Sequence, residues 1–236
     1  MNKKIVITNH TDKFVEWYDI LLSNGYTKDD VIIYDRDHFG FNGENLDPKR
    51  FEKYGTVIKT PNVGYSIYVM GKYIYDNYEN LPDYIIFLKC NILQNNYTTE
   101  KNLKKALNSN YFFPIELDRT QSKYNTPFTV NDSTYVESVS KEERSDTKVY
   151  PRIKTFPDFI KDLFIIDRIP DYVSFAPGGN YVVPKENILK YSKNFYKKFM
   201  YYTDYHHSNV VEAHWYERVL PMIWNGTLDE NCSFSV

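Results

Sequence analysis

The sequence predicts an α/β fold: a single Rossmann-like domain with a mostly parallel central sheet flanked by helices. Three observations carry this expectation. The apolar runs Ile5-Val6-Ile7-Thr8 and Val31-Ile32-Ile33-Tyr34 are continuous and rich in β-branched residues, the pattern of strands buried on both faces. Between them Phe14, Trp17, Tyr18, Leu21 and Leu22 recur at helical spacing. A further continuous run, Tyr84-Ile85-Ile86-Phe87-Leu88, follows a second helical stretch. Strand, helix and strand in succession imply parallel pairing, because the helix carries the chain back over the sheet.

In chain order, Asn9-His10-Thr11-Asp12 reads as a turn with good N-cap residues, and Asn24-Gly25 ends the first helix. The polar stretch 35–55 reads as loop, with a short strand at Val57-Ile58. Pro61-Asn62-Val63-Gly64 turns the chain into a helix from Tyr65 to Tyr78, stopped by Asn80-Leu81-Pro82-Asp83. Up to Leu88 this is the front half of a doubly wound nucleotide-binding sheet. Thr98 to Leu107 is expected to be helical. Glu116 to Asp146, rich in Ser, Thr, Asn and charge, is expected to be a mobile excursion, of the kind that is either a functional lid or a disordered segment. Phe156 to Phe164 reads as helix. Val173-Ser174-Phe175 and Asn180-Tyr181-Val182-Val183 read as strands around a tight Pro177-Gly178-Gly179 turn. Helices are expected from Lys185 to Lys190 and from Asn194 to Tyr202. Val211, Trp215, Val219 and Met222 fall on one face of a closing helix whose end Pro221 bends. The expected organisation is one domain over 1–236. Its nucleotide-binding half is 1–95, and its acceptor half is 96–236, with the mobile loop near 116–150.

Composition narrows the function classes. A net charge of -2 offers no basic field for nucleic acid. Cys90 and Cys232 lie far apart without CxxC or Cys/His spacing, so neither a zinc site nor a disulfide framework is indicated. The first apolar run is too short for a signal h-region, and no stretch approaches the roughly 20 apolar residues of a membrane span. The expected compartment is the cytoplasm, with no transmembrane segment. The 23 Tyr and 15 Phe suit cores, interfaces or sugar-stacking surfaces, while the accompanying abundance of Asn, Lys and Ile makes AT-rich codon usage the plainer explanation. No Walker loop, GxGxxG, GxSxG or HExxH occurs, which argues against the chemistries those motifs carry.

Ligands of open α/β sheets bind beyond the carboxyl ends of the strands. Three segments fall there: Asn9-His10, Asp35-Arg36-Asp37-His38 and Lys89-Cys90-Asn91. Asp35 and Asp37, one residue apart, could hold a divalent cation bridging a diphosphate, or Asp35 could hold a ribose. A solvated polar turn is the plainer alternative. Gly178-Gly179 allows close approach of a ligand to the backbone, or forms an ordinary turn. On the closing helix Glu212, His214, Glu217 and Arg218 crowd together. His214 and Glu217 share a face at i,i+3, so Glu217 could act as a general base oriented by His214, with Glu212 as second choice. Local ion pairing on a polar helix flank is the alternative. His206-His207 points in two directions on any regular element and carries little weight for metal binding.

The residues also carry a family resemblance. Asn62-Val63-Gly64 followed by Tyr75-Asp76-Asn77-Tyr78-Glu79-Asn80-Leu81-Pro82-Asp83-Tyr84-Ile85-Ile86-Phe87-Leu88 resembles the "NvGrE" and "YdnLPdytvFlqG" segments of a glycosyltransferase-like domain family of unassigned function. Phe175 to Ile188 is similar to that family's "f.pGaqFaVsreeI". Asn194-Phe195-Tyr196 is similar to its "efY", and Glu212 to Trp224 to its closing "y.lErlWp.iF". The resemblance implies a GT-A-like nucleotide-sugar transferase, hexosyl- or pentosyl-transferring, of polysaccharide biosynthesis. Its donor would be a nucleoside diphosphate sugar, such as a uridine diphosphate sugar. Its acceptor would be a glycan or lipid-linked sugar, with manganese or magnesium as possible cofactor. Together with the strand-end placement above, it gives expected donor contacts at Asn9, His10, Asp35, Asn62, Lys89, Asn91, Gly178 and Gly179. Departures are visible: Lys89-Cys90-Asn91 stands where a metal-dependent transferase shows two carboxylates, and Tyr65 and Ser66 replace the family's Arg and Glu. Lys89 could supply the cation's charge instead. The competing expectation is a catalytically silent nucleotide- or glycan-binding module of the same fold.

Overall fold

A computed structural model describes residues 1–36, 47–94, 98–116, 128–129, 152–166, 172–173, 178–205 and 210–225. Its strands are β1 (Lys3–Asn9), β2 (Val31–Asp35), β3 (Thr56–Lys59), β4 (Tyr84–Lys89), β5 (Phe113–Pro114), β6 (Phe128–Thr129), β7 (Tyr172–Val173) and β8 (Tyr181–Pro184). Its α-helices are α1 (Tyr18–Ser23), α2 (Tyr65–Asn77), α3 (Glu100–Leu107), α4 (Phe156–Phe164), α5 (Lys185–Ile188), α6 (Lys193–Tyr201) and α7 (Val211–Asn225). The fold is α/β, with a mixed, mostly parallel sheet.

Six strands form that sheet in the order β3-β2-β1-β4-β8-β5. β1 pairs in parallel with β2 and with β4, and β2 in parallel with β3. The continuous apolar runs have the predicted cause: Ile5, Val6 and Ile7 are all fully buried, so both faces of β1 are covered. β8 runs antiparallel to both β4 and β5. The expected turn at Gly178-Gly179 therefore does not join two strands of one hairpin. Tyr172–Val173 pairs instead with Phe128–Thr129, in a separate two-stranded sheet.

The chain clusters into two compact units whose segments alternate in sequence. The first takes 1–62, 79–119 and 178–185, and the second 63–78, 120–177 and 186–236. In the first unit, α1 and α3 bury Leu21, Leu103 and Leu107 with Ile5, Ile7, Ile33, Ile86, Leu88 and Val182 of the sheet. The first helix is shorter than its apolar spacing predicts. A 3-10 turn spans Lys13–Glu16, Trp17 breaks the ladder, and α1 starts only at Tyr18. One local and one tertiary hydrogen bond account for this: Asp12 N–H donates to Asn9 Oδ1 at 3.0 Å, and Trp17 Nε1 donates to the Cys90 carbonyl at 2.8 Å. Leu22, read with the apolar stripe, is 49% exposed.

The second unit is built around aromatic rings. Trp215 of α7 meets Phe156 and Phe159 of α4 with centroids 6.1 and 5.5 Å apart, and Tyr216 meets Phe199 of α6 at 3.9 Å. The helices start where side-chain caps place them: Thr155 Oγ1 accepts from Asp158 N–H at 3.2 Å, and Ser192 Oγ from Phe195 N–H at 3.4 Å. α7 is buried on more than the predicted stripe and continues past Pro221 to Asn225. The expected mobile loop, apart from Glu116, Phe128 and Thr129, lies outside the described residues.

Candidate functional site

β1, β2 and β4 end side by side, and their carboxyl ends gather the predicted polar residues of the first unit. Asn9 is fully buried at the end of β1. Its Nδ2 donates to Asp12 Oδ1 at 2.9 Å and to Asp35 Oδ1 at 3.1 Å. Asp35, fully buried at the end of β2, is also met by Arg50, with Nη1 3.0 Å from Oδ2 and Nη2 donating to Oδ1 at 3.2 Å. Arg50 Nε lies 3.5 Å from Asp12 Oδ2, so one guanidinium ties two carboxylates together. This Arg is delivered by a 3-10 turn, Pro48–Phe51, capped where Asp47 Oδ1 accepts from Lys49 N–H. A cavity of about 420 Å³ opens beside the cluster, lined by Asp12, Lys13, Arg50, Lys53 and Tyr54 among others.

Next to Asp35, the Arg36 side chain is nearly buried and donates through Nη2 to Asn62 Oδ1; Asn62 itself is exposed. At the end of β4, Lys89 N–H donates to Asn180 Oδ1 at 2.6 Å. Asn91 Oδ1 is buried and takes no hydrogen-bond partner among the described residues. His10 is exposed and places Nδ1 3.3 Å from the buried Cys90 Sγ, which also lies 3.3 Å from Thr11 Oγ1. Burial pushes the Cys90 thiol up, but the hydrogen bond and charge interaction with His10, helped by Thr11, outweigh it and hold the pKa below the ordinary thiol value.

Gly178 and Gly179 are buried. Gly178 has φ +91°, and a Cβ there would overlap the Glu116 carboxyl group. Glu116 is 3% exposed and accepts a hydrogen bond from Asn180 Nδ2.

The late-helix candidates belong to the second unit. Glu212 is fully buried; its Oε1 accepts from the Arg152 amide at 2.6 Å and its Oε2 from Tyr205 Oη at 2.5 Å. Burial raises its pKa above the ordinary carboxylate value, against those hydrogen bonds. The Arg152 guanidinium stacks on Tyr201 and Tyr205, 4.1 and 4.9 Å from their centroids, and Nη1 donates to Asp204 Oδ1 at 2.7 Å. His214 and Glu217 are the half-buried positions on a helix otherwise buried as far as Trp224, so they share a face as their spacing predicts. They point to different partners, however: the His214 ring lies 5.7 Å from that of Tyr65, and Glu217 Oε2 accepts from Arg218 Nη1 at 3.4 Å. Tyr65 itself holds φ +55°, unusual for a non-glycine residue.

Asp37, the second proposed metal ligand, and His206-His207 lie outside the described residues. Among the described residues no three of His, Cys, Asp and Glu converge as a metal-holding group. Of the two proposed metal ligands, Asp35 is among the described residues, and a cation there would compete with Arg50. Sequence reasoning missed Arg50, Asp12, Glu116 and Asn180 as partners, and passed over Cys90. Arg50 lay in a stretch read as loop and Glu116 at the start of the expected mobile excursion, and no spacing rule links Arg50 to a carboxylate 15 residues earlier.

Residues 5–234 match a family described as "Protein of unknown function (DUF3431)". The chain belongs to this family. No curated protein matches it. Among the described residues of this DUF3431 member, no helix is long and apolar enough to cross a membrane.

Proposed function

We propose that this DUF3431 chain is a glycosyltransferase-like enzyme of GT-A-like type. It takes a nucleoside diphosphate sugar, such as a uridine diphosphate sugar, at the carboxyl edge of its parallel strands and passes the sugar to a glycan or lipid-linked hydroxyl. One observation carries the reading: Asn9, Asp12, Asp35 and Arg50 meet at the carboxyl ends of β1 and β2, with Lys89 ending the neighbouring β4 and Asn91 just past it. Sheets of this type bind ligands at that edge. A carboxylate there suits ribose hydroxyls, and a guanidinium suits phosphate oxygens.

Metal use is a separate part of the proposal. A cation held by Asp35 and Asp37 would displace Arg50 from Asp35, whereas a site without metal would use Arg50 and Lys89 as the charges facing the diphosphate. The second reading, a silent binding module, draws on the β4 end, where Lys89-Cys90-Asn91 replaces the expected carboxylates.

Thermal melting with uridine, guanosine and adenosine diphosphates and their glucose conjugates tests this. Each is added at millimolar concentration, with manganese or with a chelator. At least one nucleotide should raise the melting temperature, by the equivalent of about 2.7 kcal/mol at a hundredfold excess over Kd. No shift with any of them sinks the reading. Asp37→Ala should abolish whatever part depends on manganese. Binding indifferent to both the substitution and the chelator removes the metal. Binding without release of the nucleoside diphosphate from any conjugate favours the silent module.

A further inference from the structure

The carboxyl edge of the sheet holds a second buried carboxylate that neither the family match nor the sequence motifs assign. β5 pairs antiparallel with β8, which pairs antiparallel with β4, so β5 and β4 point the same way. Glu116 follows two residues after β5 ends, and so belongs to the same edge as Asn9, Asp35 and Lys89. It is 3% exposed, a position where a carboxylate is costly and an apolar side chain would serve packing better.

Its surroundings hold it there. Asn180, 1% exposed, donates through Nδ2 to Glu116 Oε1 and accepts the Lys89 N–H through Oδ1 at 2.6 Å. One amide thus links Glu116 to the backbone at the tip of β4. The β4–β8 register stops at Phe87 and Tyr181, so the Asn180 side chain continues the ladder where the backbone leaves it. Gly178 completes the seat, since its missing Cβ is the space the carboxyl group fills. Asn91, two residues beyond Lys89, adds a buried carbonyl oxygen with no partner among the described residues, an acceptor open to a hydroxyl or amide donor.

We propose that Glu116 is the proton-accepting carboxylate of this site; the assignment rests on the sugar-transfer reading above. The acceptor hydroxyl gives its proton to Glu116, and its oxygen forms the new bond to the anomeric carbon. The bond from that carbon to the diphosphate oxygen breaks, and the electron pair leaves with the nucleoside diphosphate. Asn180 and Gly178 are positioning residues: they fix where the carboxylate stands relative to the Lys89 backbone.

The test uses the full chain with uridine diphosphate-glucose and its galactose and N-acetylglucosamine counterparts, following release of uridine diphosphate to water or to an added sugar acceptor. Glu116→Gln should keep the wild-type melting shift with uridine diphosphate. Release should slow by about 10²-fold or more, with the fall in kcat rather than KM and the acidic limb of the rate–pH profile removed. If Glu116→Gln fails to fold, Glu116→Asp, which keeps the charge and retracts it by one methylene, should show the same split between retained binding and lost rate. Gly178→Ala should lower the rate in the same way. A Glu116→Gln or Glu116→Asp rate within about threefold of wild type overturns the assignment while sugar transfer stands, as does a loss confined to Glu217→Gln. Wild-type protein that neither binds nor cleaves these donors, and that no guanosine or adenosine diphosphate or its glucose conjugate stabilises either, overturns both.

Discussion

Glu212 sits fully buried at the start of α7, and burial raises its pKa although Tyr205 and the Arg152 amide pull it down. A carboxylate whose folded value exceeds its unfolded value of about 4.3 stabilises fully below that value, and the contribution is lost as pH rises through the folded value. Glu212→Gln removes the titration. Its melting temperature relative to wild type should therefore climb from pH 4 toward pH 8, whatever constant offset the altered hydrogen bonds impose. A difference that stays flat over that range would contradict the assignment. At this scale part of the candidate site was legible and part was not. Asn9, Asp35 and Lys89 were placed by one rule, that strand ends carry ligands. Arg50 and Glu116 were invisible, because their meaning comes from Asp35 and Asn180, partners 15 and 64 residues away.

Helix α7 shows what an element's pattern conveys. Val211, Trp215, Val219 and Met222 recur at helical spacing and are all buried, each at most 1% exposed. The same helix also buries Glu212, Tyr216, Arg218 and Trp224, which spacing alone assigned to a polar flank or left aside. Trp215 packs against Phe156 and Phe159, so Trp215→Ala should cost about 3–5 kcal/mol in urea denaturation. A loss under about 1 kcal/mol would mean the cavity collapses or the ring is not in the core. Element starts with side-chain caps, such as Thr155 and Ser192, were readable to within a residue. The first helix was not, because Asp12 is held by Asn9 and Trp17 by the Cys90 carbonyl, in the turn after β4 and 73 residues on.

For the whole molecule, the proposed ligand edge belongs to the first of two compact units, and the late-helix acids belong to the second. Amide hydrogen exchange with and without saturating uridine diphosphate should show slowed exchange at 9–12, 35–36 and 89–91. Protection appearing instead at 211–225 would move the ligand to the second unit and restore the late helix as the site. Part of the tyrosine and phenylalanine set, which composition left divided between codon usage and a binding surface, goes to the interior. Phe156, Phe159, Tyr196, Phe199 and Tyr216 are all fully buried.

By itself the sequence determined the α/β class, the parallel β1, β2, β3 and β4 core, and the placement of most helices. These follow from local properties, namely continuous apolar runs, 3.6-residue spacing and capping side chains. Tertiary structure alone decided that β8 inserts in reverse between β4 and β5, and that segments far apart in sequence alternate between two units. It also decided that Gly178 gives way to the Glu116 carboxyl group and that Arg50 closes on Asp35. Each of these depends on which distant groups meet once the core has formed. A carboxylate's role is set by the donor or cation that reaches it, and no residue spacing along the chain encodes that encounter.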